Sequence, residues 1–551
     1  MATFQHPGDL REAQRLIQQA LDTGSTHLDL SNLRLRQLPE EIATLAAQLL
    51  SLDLSRCRVL KRLNGIGTLT RLERLNIERC ESLTSFSGIE MLEQLIQVNV
   101  SHCQSLTSLA GIERLSQLKQ LNLSWCSELT NLSGIETLSQ LTHLDLSWCF
   151  KLSGLTAIKQ LSKLTHLSVS HCEILNNLTD FEHLSQLVQL AVTHCNALTC
   201  LDGVQYLSQL SELNVDQSEM LAELSGIETL SNLTKLSLNG CEALTDLTRI
   251  KALTQLTELS LDVNQALKSL VDIKYLSQLT KLSIARCPTI TSLAGIEYFQ
   301  NLRTLNVGWC TGLTSLAGLE SISQLTELTV FNCQAFDTMK TIKKLTKLKE
   351  LDVSYCDELK DLSGIEHLTQ LTSLGIGNCE TLTSLAGIET LSQLTYLDIS
   401  RCEALTSLAG IEKLAQLKHL YMAECKTLSS LTGIEHLTNL TQLDIGGCPE
   451  LTRFDELASL VQLKLLSLGS HLHLTDLSIL LQLPELKVLI PYGHLPTLSW
   501  DLAEHLLLQL PRLVVFVIFD SLSIEHVPAE LTTDFNQTSV EDWWFECQQH
   551  G

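Results

Sequence analysis

The sequence predicts an α/β-type repeat fold: a right-handed solenoid whose short parallel strands form a concave sheet and whose convex side consists of short 3-10 or extended segments. Three observations lead to this prediction. Cysteine recurs every 23 residues over most of the chain. The segment before each cysteine alternates apolar and polar residues, as strands do. The segment after it has apolar residues three apart, which fits tight 3-10 turns.

The composition favours a repeated small unit over several different globular domains. Aromatic residues make up only 5% of the 551 residues, and the chain has 9 prolines. The formal net charge is −24, from 62 acidic and 38 basic residues. Binding to nucleic acid or to an anionic membrane requires basic surface, so neither partner is expected. We expect a monomer that the charge keeps soluble.

Residues 1–24 are predicted to form an N-terminal capping helix. An open stack of repeats exposes apolar core at its ends, so a cap is required. Apolar residues fall on one helical face, and Gly24 is a suitable stop. The first residues lack a basic stretch followed by an apolar segment. We therefore expect a cytoplasmic protein, or one exported into a host cytosol without a cleavable signal peptide.

The solenoid is predicted to occupy residues 25–520 in about 22 turns. One turn reads LTHLDLSWCFKLSGLTAIKQLSK, over residues 141–163. Leu144 and Leu146 share one face of its strand, and His143, Asp145 and Ser147 share the other. A single turn cannot bury these leucines alone. Stacked turns complete a common core, with neighbouring strands about 4.8 Å apart.

The regularly spaced cysteines are predicted to form a structural ladder, one per turn. Metal sites group their ligands in short pairs, and disulfide frameworks do not repeat at one constant spacing. A small thiol at each bend can pack inward and reach a neighbouring backbone group. Ser218 and Asn264 replace cysteine in two turns. The ladder comprises Cys57, Cys80, Cys103, Cys126, Cys149, Cys172, Cys195, Cys241, Cys287, Cys310, Cys333, Cys356, Cys379, Cys402, Cys425 and Cys448.

Residues 521–551 are predicted to be a C-terminal cap or tail. This segment is polar and ends near Trp543, Trp544 and Phe545. The aromatic residues are predicted either to plug the last turn or to form a docking motif for a partner. Cys547 is a lone tail cysteine without motif support as a nucleophile.

The residue immediately before each ladder cysteine is the strongest candidate for contact with a partner. This position is often aromatic or basic, and Trp, Tyr and Arg anchor many protein interfaces. The alternative is that the aromatic residues only stack along the ladder. The candidates in this position are Arg79, His102, Trp125, Trp148, His171, His194, Trp309, Tyr355 and Arg401, and neighbouring positions add His143, His166 and Phe331.

No metal, cofactor or catalytic residue is predicted. The histidines recur with the repeat, and their two columns lie five residues apart along a turn, so they do not converge on one ion. They leave open a pH-sensitive surface. GxSxG, HExxH and CxxC motifs are absent from the sequence. A glutamate column in repeated Gly-Ile-Glu triplets is predicted to be either a solvated face or a surface for a basic partner.

The shared pattern LxxLxLSxCxxLTxLxGIExLSQ resembles the leucine-rich-repeat superfamily. The short return segment is similar to bacterial internalin-type repeats, and the LDLSxC wording is similar to plant disease-resistance repeats. This resemblance implies a scaffold that binds other molecules on its concave face. We expect a non-enzymatic protein-interaction scaffold, with similarity to bacterial effectors. The alternatives are a ubiquitin-ligase-type effector with a reduced tail, and carbohydrate recognition by the aromatic column.

Overall fold

The computed structural model of the protein describes residues 7–333, 336, 339–468, 478–490 and 514–515. The chain divides into two compact units, Met1–Gly312 and Leu313–Gly551. The predicted tail, 521–551, and with it Trp543, Trp544 and Cys547, lies outside the described residues.

The first unit begins with helix α1 (Pro7–Thr23), in the segment for which a cap is predicted. Its apolar face is buried at Ala13, Ile17 and Ala20. Gly24 ends the helix with a φ of 66°, and the N–H of Ser25 then donates to the carbonyl of Ala20 at 2.9 Å. The helix packs on the first strand and the first 3-10 segment of the unit.

The strands of the first unit are three residues long and pair in parallel in chain order. Their register repeats the 23-residue period, so that Leu144 lies opposite Leu167. The strands are β1 His27–Asp29, β2 Ser51–Asp53, β3 Arg74–Asn76, β4 Gln97–Asn99, β5 Gln120–Asn122, β6 His143–Asp145, β7 His166–Ser168, β8 Gln189–Ala191, β9 Glu212–Asn214, β10 Lys235–Ser237, β11 Glu258–Ser260, β12 Lys281–Ser283 and β13 Thr304–Asn306.

Short 3-10 helices return the chain from one strand to the next. In the first unit they are Glu40–Leu45, Ile66–Thr68, Ile112–Arg114, Ile135–Thr137, Thr156–Gln160, Thr179–Phe181, Val204–Tyr206, Ile227–Thr229, Thr248–Ala252, Val271–Ile273 and Ile296–Tyr298. Apolar residues three apart suit this geometry because the 3-10 helix has three residues per turn.

The second unit repeats the same plan. Its parallel strands are β14 Glu327–Thr329, β15 Glu350–Asp352, β16 Ser373–Gly375, β17 Tyr396–Asp398, β18 His419–Tyr421, β19 Gln442–Asp444, β20 Leu465–Ser467, β21 Val488–Ile490 and β22 Val514–Val515. Its 3-10 helices are Leu319–Ser321, Met339–Thr341, Ile365–His367, Ile388–Thr390, Ile411–Lys413, Ile434–His436, Asp455–Ser459 and Ser478–Gln482. Both units confirm the predicted solenoid of parallel strands and short 3-10 segments.

The core of each turn consists of leucines from both halves of the repeat together with the ladder residue. Leu144 is 2% exposed, and Leu146 and Cys149 are fully buried. Most ladder thiols donate to a carbonyl 26 residues earlier, as Cys149 Sγ does to Leu123 O at 3.4 Å, and Cys57 Sγ donates to Leu30 O, 27 residues earlier, at 3.3 Å. Burial raises the pKa of the Cys149 thiol to about 12. The thiol of Cys149 is therefore a protonated structural group and a poor nucleophile.

The recurring Gly-Ile-Glu triplets have a structural role on the return side. Gly134 has a φ of 108°, a conformation that side chains other than hydrogen rarely allow. The carboxylate of Glu136 accepts the N–H of Gly134 at 2.7 Å. Gln205 does the same for Gly203, also at 2.7 Å. The glutamate column therefore satisfies a backbone donor in most of the turns that carry the triplet, a role that neither sequence-based interpretation included.

Candidate interaction surface

The strands of the first unit line a groove of about 770 Å³ that runs from β4 to β12. The first and third residues of each three-residue strand face this groove, because side chains two apart in a strand share a face. His143 and His166 lie among them, on paired strands. Further along, Lys235 pairs with Glu212 at 3.4 Å and with Glu258 at 3.8 Å.

The residues before the ladder cysteines lie in the turns that follow the strands. These turns hold their backbone in the left-handed region, with φ of 61° at Trp125 and 64° at Trp148. The conformation is fixed by hydrogen bonds to the next turn: the N–H of Trp125 donates to Ser147 O at 2.8 Å, and the N–H of Trp148 donates to Ser170 O at 2.7 Å. These two turns therefore present their tryptophan side chains in the same direction.

Five of the predicted residues form one continuous aromatic stack, His102–Trp125–Trp148–His171–His194. Successive ring centroids are 5.1, 4.2, 3.4 and 3.9 Å apart, and neighbouring planes differ by 9° to 15°. All five side chains are partly buried and partly open to solvent. Since the neighbouring rings cover both faces of Trp125, Trp148 and His171, these three residues present only their edges.

Phe150 supports the stack from the side. Its ring meets Trp148 edge-on at 5.8 Å and Trp125 at 6.5 Å. Sequence reasoning missed this residue because it follows a ladder cysteine instead of preceding one. The available signal was its position: an aromatic residue directly beside Cys149, next to the two tryptophans.

The stacking of the five rings leaves few aromatic faces on which a carbohydrate could stack. Sugars and bases stack on open aromatic faces. Within the stack, only the outer faces of His102 and His194 lack a ring partner among the described residues. The stack therefore offers donors and ring edges, which carry partial positive charge, to acceptor groups of a partner.

His143 and His166 form a second stack inside the groove. Their centroids are 4.2 Å apart with planes 7° from parallel. The hydroxyls of Thr142 and Thr165 contact the Nδ1 atoms of the histidines that follow them, at 2.9 and 2.8 Å. Burial, and then the neighbouring imidazole, lowers the pKa of His143. Burial and then His194 lower the pKa of His171.

The other predicted residues lie apart from the main stack. The guanidinium of Arg79 lies 3.4 Å from Glu78. The guanidinium of Arg286 lies 5.6 Å from the ring of Trp309, which is 42% exposed. In the second unit, the rings of Phe331 and Tyr355 are 4.8 Å apart. Arg401 pairs there with Glu424 at 3.0 Å.

The described residues contain no cluster of three or more potential metal ligands. Nor does any helix in that part of the chain have both the length and the apolar character needed to cross a membrane.

The leucine-bearing strand, the ladder residue and the 3-10 return together define a leucine-rich-repeat protein. The sequence agrees: a family model described as the leucine-rich repeats of the plant disease resistance protein RPS2-like type matches residues 203–334, 267–403 and 314–470. The chain is a leucine-rich-repeat protein. No curated protein matches it.

Several solved structures are similar to this chain. The Leptospira interrogans protein LIC12759 has 19% identity and a TM-score of 0.46, over 91% of this chain and 98% of that one. The functional domain of InlJ from Listeria monocytogenes, described as including a cysteine ladder, has 22% identity and a TM-score of 0.45, over 74% of each chain. TLR13, solved with ssRNA13, has 19% identity and a TM-score of 0.42, over 85% of each chain.

Proposed function

We propose that this protein is a non-enzymatic scaffold that binds a partner protein through the aromatic stack and the adjoining groove of its first unit. Leucine-rich-repeat proteins are generally binding scaffolds, and the first unit carries a groove next to partly exposed Trp and His side chains. Such aromatic residues are enriched at protein interfaces. The five-ring stack is the observation that supports the proposal most directly.

The energetics of the stack favour a role in binding over a role in stability. A left-handed conformation costs a residue with a side chain about 1–2 kcal/mol. An aromatic pair contributes about 0.5–1.5 kcal/mol of stability beyond the contribution from the surface area that it buries. The two contributions nearly cancel, and the chain uses Gly240 and Gly447 at the same position in other turns. The two tryptophans therefore add little net stability to the fold at this position.

Preorganisation adds to the suitability of this surface for binding. Rings held by their neighbours lose less rotamer freedom when a partner docks, which lowers the entropic cost of association. The same contacts keep the indole and imidazole edges pointing outward. Acceptor groups of a partner, such as backbone carbonyls, match these edges.

The test compares the recovery of partner proteins by immobilised wild type and by Trp125→Asn plus Trp148→Asn. Asparagine tolerates the left-handed region, and Asn32 and Asn378 already occupy this position. The matched control is Tyr275→Ala plus Tyr298→Ala, which removes two exposed aromatic residues from the return side of the same unit. We expect the first variant to lose a protein that the control retains, and direct titration of that protein to show the same difference.

Equal recovery by all three proteins would remove the stack from the proposed function. Thermal unfolding of each variant, followed by circular dichroism, checks that the fold is unchanged.

The proposed location is the cytoplasm or a host cytosol, which would also suit the effector-like resemblance. The ladder thiols support a reducing compartment, because each must stay reduced and protonated to donate its hydrogen bond. Fractionation of cells that produce the protein, with the oxidation state of its thiols measured in each fraction, tests this location.

A further inference from the structure

The groove contains a stacked pair of side chains, His143 and His166. They occupy equivalent positions on paired strands β6 and β7. Each follows a threonine whose hydroxyl lies within hydrogen-bond distance of two groups. Thr142 Oγ1 lies 3.0 Å from Lys119 O and 2.9 Å from His143 Nδ1. Thr165 Oγ1 lies 2.9 Å from Thr142 O and 2.8 Å from His166 Nδ1.

These contacts determine where the imidazole proton sits. A threonine hydroxyl has one proton, and a carbonyl oxygen can only accept. If the hydroxyl donated to Nδ1, its oxygen would face the carbonyl oxygen at 3.0 Å with no proton between them. Both contacts are attractive only when the hydroxyl donates to the carbonyl and Nδ1–H donates to the hydroxyl. The Nε2 atom of each ring is then an unprotonated acceptor.

The surroundings of the pair add further acceptors. Asp145 lies two residues after His143 on the same face of β6. Its Oδ1 accepts the backbone N–H and the hydroxyl of Ser147, and no hydrogen bond to Oδ2 occurs within the described part of the chain. Apart from the two imidazoles, Asp145 is the one ionisable residue among the described residues that line the groove from β4 to β8. This part of the groove therefore carries negative charge.

We propose that His143, His166 and Asp145 bind a basic side chain of the partner protein, through its guanidinium or ammonium group. Such a group supplies only donors and a positive charge, which complements two imidazole lone pairs and a carboxylate oxygen. The inference rests on the proposed function in one respect, since it places the basic group on the partner. The net charge of −24 also favours the approach of a basic segment.

The position of the proton can be measured directly. Side-chain ¹⁵N NMR of histidine-labelled protein distinguishes the two neutral tautomers, and His143→Gln and His166→Gln assign the signals. We expect Nδ1 to be protonated in both residues near neutral pH. Protonation at Nε2 in both would overturn the proposal, because the groove would then present donors.

Binding is tested on the full chain with capped pentapeptides Gly-Gly-X-Gly-Gly, in which X is arginine, lysine or citrulline. Citrulline has the shape of arginine without its charge. We expect the arginine and lysine peptides to shift the His143 and His166 signals saturably, and citrulline to bind about tenfold more weakly. Asp145→Asn should lose most of this preference while keeping the fold, because Asn99 and Asn122 occupy the same position on β4 and β5.

Equal binding of citrulline and arginine, or no shift with any peptide, would overturn the inference. The partner-recovery experiment with the tryptophan variant is independent of these peptides. If the peptides fail but that variant still loses its partner, the interaction scaffold stands and the basic-group site does not.

Discussion

At the scale of single residues, the backbone conformation of the residue before the ladder position is determined by contact with the next turn and not by the side chain that the residue carries. Residues as different as Arg79, Trp148 and Val263 all adopt φ values near 60° there. The hydrogen bond from each of these N–H groups to the next turn imposes the conformation. Residues that suit the left-handed region poorly therefore store strain, which substitutions can release.

Val263 is the clearest case, because a β-branched residue is the least suited to a φ of 62°. We expect Val263→Gly to raise the free energy of unfolding by about 1 kcal/mol. Gly240→Val, in the preceding turn, should lower it by a similar amount or more, since the new Cβ would also meet the side chain of Gln217. Chemical denaturation of both variants gives the comparison. Opposite signs to these would contradict the strain argument.

Asp444 is a second residue whose surroundings work against its usual state. Burial raises its pKa to about 6, although its carboxylate accepts the N–H of Gly446 at 2.9 Å. Because the folded-state pKa lies above the unfolded value, the stability associated with this group is fully present below about pH 4. It is lost as the pH rises through about 6.

We therefore expect Asp444→Asn to raise the free energy of unfolding near pH 7 by about 1–3 kcal/mol, with little gain near pH 4. Asparagine keeps the acceptor, as Asn99 shows by accepting the N–H of Ser101. Asp361→Asn is the control. It should lower the free energy of unfolding near pH 7, because hydrogen bonds from Ser363 lower the pKa of that carboxyl. Denaturation at both pH values tests the pair. An equal gain at both pH values would indicate a cause other than titration.

At the scale of the repeat element, one requirement governs the ladder position: a small side chain that donates a hydrogen bond to a carbonyl in the preceding turn. Cysteine meets it in most turns. Ser218 meets it with a hydroxyl, 3.1 Å from Val192 O. Asn264 meets it with its amide, 2.9 Å from Leu238 O, but its buried Oδ1 atom has no hydrogen-bond partner among the described residues. The ladder position therefore requires a hydrogen-bond donor as well as a small side chain.

The unpaired oxygen predicts that Asn264→Cys stabilises the protein. A buried polar atom without a partner costs about 1–3 kcal/mol, and the thiol would restore the arrangement of the neighbouring turns. We expect the denaturation midpoint to rise. Ser218→Cys, where the hydroxyl already donates and also accepts the N–H of Cys195 at 3.3 Å, should give no comparable gain. A loss of stability in Asn264→Cys would show that the amide donors outweigh the orphaned acceptor.

At the scale of the whole molecule, each unit is a stack in which every turn depends on its immediate neighbours. In the described part of the chain, each strand pairs with its neighbours of the same unit in chain order, and β15 to β18 do so with a constant offset of 23 residues. Stability in such a protein is close to a sum over turns and the interfaces between them. Removing one complete turn should therefore change stability modestly, whereas removing part of a turn should disrupt the register.

Deletion of residues 394–416, one full period that includes β17, tests this expectation in the second unit. The deletion joins Gln393 to Leu417 and so preserves the order LSQL at the junction. We expect a folded protein with unchanged strand signal per residue in circular dichroism. Deletion of residues 394–404 is the matched control, and it should lose cooperative unfolding. Equal behaviour of the two deletions would contradict the nearest-neighbour description.

The sequence by itself determined the period, the parallel register, the buried leucine positions and the ladder, because each of these repeats along the covalent chain every 23 residues. It also identified the aromatic column, although it left stacking and binding as open alternatives. Only the tertiary structure decided how the side chains of successive turns meet. The left-handed turns align five rings, and Phe150 packs edge-on against Trp148 in that stack. Thr142 and Thr165 orient the groove histidines. These features depend on distances between turns, and no single turn encodes them.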